Sequence, residues 1–507
     1  MTPSPHGPAQ VFLVGAGPGD PGLITLRAVE CLGRADVVIY DYLVNPAIVS
    51  HASKTAELVS LGRPATGREV TQDEINARLV TEARRGRTVV RLKGGDPSIF
   101  GRGADEVAAL REAGVPYEIV PGITAGLAVA AYCEIPVTHH EAASAVALIT
   151  GRERNDKTES ALDYAALAQF PGTLILYMGV KRVTEWSEQL IKHGKSAATP
   201  VAVIRWATRK RQKMVRCDLG SVAAMVENQN IRSPSLFVVG TVVDRAPEMS
   251  WFTARPLFGT RVLVSGSSST AGKLRDGLAA LGAEVLISSV IQIADPPDWS
   301  PVDAAIDQLA VYDWIVFSSA NGVDYFMRRL LVRGGDVRRL GGVEVAVSGT
   351  GTAERLNEYH VRADLVPERF VAESLAEALA KRGAGKRFLL VGGSRGRQVL
   401  IPALEEVGAY VDRIVAYASS DVTERDPAVS ESLAASGIDW ITVTSSASAR
   451  SLVRLYGDAI RSARIVSISP VTSETLVELG YGPAAEASPH TVSGVVAAIV
   501  DSVQAER

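Results

Sequence analysis

The sequence predicts an α/β protein with largely parallel sheets, and three observations carry that prediction. Apolar runs of strand length alternate with helical patterns throughout: "TVVRLKGG", "LILYMGV", "RVLVSGS", "WIVFSSA" and "RFLLVGG". Glycine-rich turns follow several of those runs, at the strand ends where open α/β sheets bind ligands. The second half also repeats itself: "RVLVSGSSSTAGKLRDGLAALGAEVLISSV" from Arg261 returns as "RFLLVGGSRGRQVLIPALEEVGAYVDRIVA" from Arg387, 126 residues later. With 507 residues, 47% of them hydrophobic, the chain holds material for about three domains.

The first element, "VFLVGAGPGDPGLITLRA" (Val11 to Ala28), reads as strand, turn and helix start. It is not a dinucleotide fingerprint. Gly15 and Gly17 fit G-x-G-x-x-G, but Asp20 takes the sixth place and Pro18 removes an N–H. An aspartate there would face a pyrophosphate at a helix N-terminus, so the ligand of this turn lacks phosphate. Two further turns follow apolar runs: "RLKGGDPSIFGRG" (Arg91 to Gly103) and "VPGITAGLAVAAY" (Val120 to Tyr132). Glycines there let backbone approach a ligand closely. Together the three could line one pocket of amides, carbonyls and the Asp96 carboxylate, which suits an adenosine with an amino-acid tail.

After "SLFVVGTVV" the periodicity stops at "DRAPEMSWFTARPLFGT", Asp244 to Thr260, which reads as a domain linker. Beyond it, Asp313-Trp314-Ile315 recurs as Asp439-Trp440-Ile441, again 126 apart, and Thr352-x-Glu354-x-Leu356 as Thr472-x-Glu474-x-Leu476, 120 apart. So long a period means two similar α/β lobes rather than a solenoid, whose repeats run to about 20–50 residues. Facing lobes make a cleft.

Composition excludes several classes. A net charge of −3 gives no reason to expect nucleic acid or an anionic membrane as partner. No apolar run approaches the roughly 20 residues of a spanning helix, and "MTPSPHGPAQ" lacks the regions of a signal peptide. Cys31, Cys133 and Cys217 are scattered, as expected for free thiols in the cytoplasm. No metal site is expected: the only histidine cluster, His139–His140, would point to opposite faces on a strand.

From about Gln10 to Phe252 the chain resembles uroporphyrinogen-III C-methyltransferase, in "VGAGPGDPGLITLRA", "ADVVIYDYLV", "RLKGGDPSIFGRG", "PGITAG", "EIPVTH", "LYMG" and "SPSLFVVG". The resemblance implies a tetrapyrrole-methylase fold of two α/β subdomains around a cleft, within residues 1–250, followed by a linker at 251–258. It implies S-adenosyl-L-methionine as cofactor, held by Pro18, Gly94, Gly95, Asp96, Ile99, Thr124, Ala125, Met178 and Ala207. It implies a homodimer formed through this half. Asp41, in "IYDYLV", matches the family's proposed base for the proton that leaves the macrocycle after methylation; without the resemblance it reads first as an N-cap or solvated turn aspartate. Arg63, in "LGRPAT", stands where the family has a lysine proton donor, and arginine hardly deprotonates. The substrate, a porphyrinogen with eight carboxylates, suits arginine forks. Arg102, Arg205 and the run Arg209-Lys210-Arg211 are candidates, and His140 replaces a family arginine.

Residues 259–507 resemble uroporphyrinogen-III synthase, in "DWIVFSSANGVDYF", "GTGTAERL", "VAESLAEAL", "ALEEVGAYVDRIVAY" and "DWITVTSSASARSL". That resemblance implies two flavodoxin-like lobes, one of residues 259–290 plus 419–507 and the other of 291–418. It implies cyclisation of hydroxymethylbilane with inversion of the last ring and without a cofactor. Tyr417 matches the family's tyrosine. The repeat-related pairs Ser319/Ser445 and Thr352/Thr472 are substrate candidates, and N-capping explains each of them as well. The expected whole is a bifunctional enzyme making uroporphyrinogen III and methylating it twice to precorrin-2. The alternative is a methyltransferase whose second half is a non-catalytic tetrapyrrole-binding scaffold.

Overall fold

The computed structural model describes residues 10–61, 70–152, 161–266, 268–367, 372–395 and 399–506. They form an α/β fold with four five-stranded sheets. Two compact units emerge, one of residues 1–262, 275–286 and 499–507, the other of 263–274 and 287–498.

In the first unit an all-parallel sheet orders strands Glu57–Ser60, Val37–Tyr40, Val89–Lys93, Val11–Gly15 and Tyr117–Val120. Val11–Gly15 and Val89–Lys93 are buried along their whole length, as parallel strands covered on both faces must be. The register sets Gly15 beside Lys93, Val14 beside Val120 and Tyr40 beside Leu92, so the glycine turns start from neighbouring strand ends.

The second sheet corrects the expectation of parallel strands. Its order is Val146–Thr150, Thr173–Tyr177, Ser235–Val239, Pro200–Arg205 and Lys213–Asp218, and only the first pair is parallel. Residues 206–212 are too few to carry a crossover helix, so the strands they join pair antiparallel.

The segment read as a linker is packed. Trp251 Nε1 donates to Ala131 O at 2.8 Å, and Trp251 N to Glu134 Oε2 at 3.0 Å. The buried Phe252 ring lies 4.7 Å from Tyr132 and 5.4 Å from Phe258. The Arg255 guanidinium sits 4.4 Å from the Trp251 ring centroid. The aromatic residues that break the periodicity in the text are the ones that anchor the segment.

The repeat of the second half appears as repeated structure. Strand Trp314–Phe317 leads into helix Ala320–Val332, and strand Trp440–Val443, 126 residues on, into helix Ser446–Tyr456. One sheet draws on residues 291–421, in the order Ile291–Ala294, Tyr410–Asp421, Arg387–Gly393, Trp314–Phe317 and Glu344–Val347. The other draws on both sides of that stretch, in the order Glu284–Ser288, Arg261–Ser265, Trp440–Val443, Arg464–Ser467 and Ala485–Glu486.

Strand Tyr410–Asp421 ends on a charged junction. Asp421 accepts from Arg395 Nη1 at 2.6 Å and from Ser451 Oγ at 2.6 Å, and it also pairs with Arg454. The Arg395 guanidinium, with the Ser451 hydroxyl, holds its carboxyl down at about 2. A carboxylate depressed on folding stabilises fully above its unfolded value, near 3.9, and loses that contribution as pH falls toward 2. Asp421→Asn should therefore cost about 1 kcal/mol at pH 6, a small figure because both arginines are half-exposed or more. Denaturant titrations of variant and parent should converge only below about pH 2; a constant offset at every pH would show that the carboxylate charge is not what matters.

Candidate functional sites

The three glycine turns of the first unit meet. Gly17 N donates to Gly95 O at 3.1 Å, and Gly95 N to Gly17 O at 2.8 Å. Gly122 N donates to Asp96 Oδ2 at 3.0 Å, while Asp96 Oδ1 accepts from Ser98 N at 2.7 Å. A Cβ on Gly122 would overlap Gly95 O and come 2.7 Å from Gly15 Cα; one on Gly15 would come 2.5 Å from Gly122 N. Gly17 and Gly95 hold φ of +73° and +69°. Only glycines allow this junction.

The second sheet contributes its own strand ends. Thr124 starts helix Ala125–Tyr132, and its Oγ1 lies 2.8 Å from the Tyr177 hydroxyl, which accepts from Gly126 N at 2.8 Å. Phe100 packs on the Tyr177 ring at 5.0 Å. Asp20 N donates to Thr208 Oγ1 at 3.1 Å, next to Ala207. Phe100, Met178, Trp206 and Thr208 all hold positive φ, between 51° and 66°. Such strain costs of order 1–3 kcal/mol per residue and gathers where a ligand needs a fixed surface.

The helix start beyond the first turn is closed to phosphate. Asp20 is itself the N-cap of Pro21–Leu23, its Oδ1 accepting from Gly22 N at 2.8 Å, and its Oδ2 takes the Tyr132 hydroxyl at 2.8 Å. Burial and that carboxylate push the Tyr132 phenol well above its usual range. A surface of glycine backbone with carboxylates at 20 and 96 fits a cationic nucleoside such as S-adenosyl-L-methionine and repels a diphosphate.

Asp41 follows strand Val37–Tyr40. Its Oδ1 accepts from Arg91 Nη2 at 2.6 Å, and its side chain stays one-third exposed. In the second unit, Tyr417 lies in strand Tyr410–Asp421 with its hydroxyl 3.0 Å from Ser319 Oγ. Its ring covers Gly393, where a Cβ would come 2.5 Å from Cζ, and Tyr325 lies 5.7 Å away.

Residues 10–223 match the family of tetrapyrrole (corrin/porphyrin) methylases, and residues 272–497 match uroporphyrinogen-III synthase HemD. The porphyrin biosynthesis protein HemD of Ruminiclostridium josui is 32% identical over 488 residues, which cover 96% of this chain and 95% of that protein. The chain belongs to both families, as a tetrapyrrole methylase fused to a uroporphyrinogen-III synthase. An S-adenosyl-L-methionine-dependent uroporphyrinogen III methyltransferase of Methanosarcina barkeri is 46% identical over 234 residues, 46% of this chain and 92% of that protein. The crystal structure of uroporphyrin III C-methyl transferase from Thermus thermophilus is similar at 36% identity and a TM-score of 0.40, covering 46% of this chain and 94% of that one.

Within the methylase half, the cofactor candidates Pro18, Gly94, Gly95, Asp96, Ile99, Thr124, Met178 and Ala207 lie on these strand-end loops, and Ala125 opens the helix that follows one of them. Asp96 Oδ2 staples its turn to Gly122, while Oδ1 closes its own turn at Ser98 N. Arg63 lies outside the described residues. Arg209 is turned inward, against the reading that gave it to substrate carboxylates. Its Nη2 donates to Leu43 O, its side chain fills the space over Gly19, and burial holds its guanidinium below the usual range. The positive φ of Trp206 and Thr208 turns the chain just before it. Arg102 is exposed and pairs with Asp105 at 2.9 Å, and Arg205 keeps a buried Nε without a partner among the described residues. His139 and His140 do not point apart. They sit in a turn closed by a His139–Ala143 bridge, not on a strand, and their rings stack at 4.4 Å. Tyr177 and Gly126 were missed as partners, although both stand in the motifs "LYMG" and "PGITAG".

Within the synthase half, Ser319 and Ser445 are N-caps in matching conformations, accepting from Gly322 N and Ser448 N at 3.1 Å each. Ser319 also meets Tyr417, so capping and a site role coexist there. Thr352 and Thr472 are buried in their helices, bonded to Ser348 at 3.3 Å and Ser469 at 3.2 Å. Among the described residues, no hydrogen bond joins Ser445, Thr352 or Thr472 to Tyr417.

Proposed function

We propose that this chain makes uroporphyrinogen III from hydroxymethylbilane and methylates it twice to precorrin-2. The observation that carries the reading is the glycine junction with its carboxylates, set in a chain that matches the methylase family over residues 10–223 and the synthase family over residues 272–497. S-adenosyl-L-methionine, when bound, supplies the methyl group as a sulfonium. The backbone at Gly95 and Gly122 and the loops at Met178 and Ala207 hold and orient it. Asp41 offers Oδ2 to the proton that the methylated pyrrole carbon must release, while Oδ1 stays on Arg91. The pool of basic groups for substrate carboxylates narrows to Arg102, Arg205, Lys210 and Arg211, with Arg63 as an electrostatic contributor. The protein works in the cytoplasm as a homodimer through its methylase half; no helix among the described residues is long and apolar enough to cross a membrane.

In the synthase half, the Tyr417 hydroxyl assists departure of the bilane's hydroxide, and Ser319 fixes its direction. Ser445, Thr352 and Thr472 shape the lobes through their caps and helix starts and stand further back from the reaction. Tyr417→Phe removes one hydrogen bond worth about 1–3 kcal/mol, or roughly fivefold to 150-fold in ring closure. The uninverted isomer, formed by spontaneous closure, should take a larger share of product. The fold should tolerate the change, because the ring over Gly393 remains. A wild-type rate and isomer ratio would return Tyr417 to the core. The methylase reading is tested by incubating the chain with uroporphyrinogen III and methyl-labelled S-adenosyl-L-methionine: two labelled methyl groups per macrocycle are expected, and none would overturn it.

A further inference from the structure

Beneath Asp41 lies a buried charge cluster that the reaction as described does not use. Arg91 and Lys93 alternate on strand Val89–Lys93, so both side chains leave the same face. Both are almost fully buried. Glu106, on helix Gly103–Glu112, is completely buried between them. Its Oε1 accepts from Arg91 Nε at 2.9 Å, Lys93 Nζ at 2.9 Å and, more weakly, Gln72 Nε2 at 3.4 Å. Its Oε2 is buried with no partner among the described residues.

A self-contained structural ion pair would close on itself. This one does not. Two buried cations face one buried carboxylate, which leaves one positive charge over, and unpaired charge is costly in the interior. Burial pushes the Lys93 ammonium below its usual range, and the carboxylates of Glu106 and Asp41 oppose that push. Asp41 is the anion that balances the cluster, and it is the only member that reaches solvent, with one-third of its side chain exposed.

The guanidinium makes the connection directional. Arg91 Nε is fixed on Glu106, Nη1 points at Leu92 O at 3.2 Å, and Nη2 holds Asp41 Oδ1 at 2.6 Å. Asp41 N is itself bonded to Leu92 O at 3.2 Å. With Oδ1 and the backbone both tied to one strand, Oδ2 is left in a single direction, and no described residue donates to it.

We infer that Glu106 and Arg91 are positioning residues for methyl transfer: Glu106 orients the Arg91 fork, and the fork orients Asp41. The inference rests on Asp41 as the proton acceptor. Lysine at 91 keeps the charge but cannot bridge Glu106 and Asp41 together.

The test is a double-mutant cycle on the full chain with Asp41→Asn, Arg91→Lys and the double variant. Methyl transfer gives kcat and KM, and calorimetric binding of S-adenosyl-L-methionine by the same molecules reports that the methylase half is folded. Arg91→Lys should lower kcat about 10- to 100-fold, the scale for a slightly misplaced group, with KM for both substrates within about twofold of the parent. In the double variant Arg91→Lys should slow the reaction no further than Asp41→Asn alone, because coupled residues fail to multiply. If Arg91→Lys unfolds the methylase half, Glu106→Gln takes its place in the same cycle with the same expectation. Effects that multiply, or a KM rise with kcat intact, overturn the positioning role and leave Asp41 as base. An Asp41→Asn protein with parental kcat overturns the base reading itself, and the inference with it.

Discussion

Gly122→Ala should abolish methyl transfer while ring closure continues. The added Cβ meets backbone on two sides, Gly95 O and Gly15 Cα, the latter at 2.7 Å. Neither can rotate away, so relief requires the three turns to separate. That separation breaks the Gly122 N to Asp96 Oδ2 bond at 3.0 Å and loosens the Gly17–Gly95 bridge. Misplacing the methyl donor by about 1 Å is enough for a loss of about 100-fold, and the junction cannot absorb a methyl group with less movement. Calorimetric titration with S-adenosyl-L-methionine should show binding weakened at least tenfold. By contrast, a Cβ at Gly95 has room, 3.8 Å from Thr124 Cα, and is opposed by its φ of +69° instead. Gly95→Ala should therefore be the milder of the two. Unchanged cofactor affinity in Gly122→Ala would remove this junction from the binding site.

Asp41→Asn should slow methylation by about 100-fold or more, the scale of general-base loss. The amide keeps the shape and its Oδ1 can still accept from Arg91 Nη2. What is lost is the basic Oδ2 and the negative charge that balances Arg91 and Lys93 against Glu106. Substrate and cofactor affinity should change little, so the effect should fall on kcat. Single-turnover methyl transfer checks this directly. Parental turnover would make Asp41 a structural partner of Arg91 and nothing more.

What the sequence shows directly is what local chemistry dictates. Gly15 and Gly122 mark the site because a Cβ would meet backbone there, and Gly17 and Gly95 because their positive φ favours glycine. Ser319 and Ser445 announce two matching helix starts for the same reason. What the text hides depends on neighbours across strands. Arg91 and Lys93 read as ordinary charges on an apolar run; only the packing of Gly103–Glu112 over them makes Glu106 their counter-charge. Arg209 looks like a solvated member of a basic run until the turns at Trp206 and Thr208 send it inward. The antiparallel strands of the second sheet carry the same apolar pattern as parallel ones, and only the brevity of residues 206–212 separates the two. The stretch around Trp251 and Phe252 lacks periodicity because its aromatic side chains dock one by one, against Ala131 and Tyr132.

The central claim is that one chain performs both reactions. The most direct measurement supplies the purified full-length protein with hydroxymethylbilane and S-adenosyl-L-methionine together, under reducing conditions, and identifies the macrocycle by mass and by isomer. A type III macrocycle carrying two added methyl groups is the expected product. Products of type I alone, at the rate of spontaneous closure, would contradict it by showing that the synthase half is a scaffold; type III product without added methyl would contradict the assignment of the methylase half.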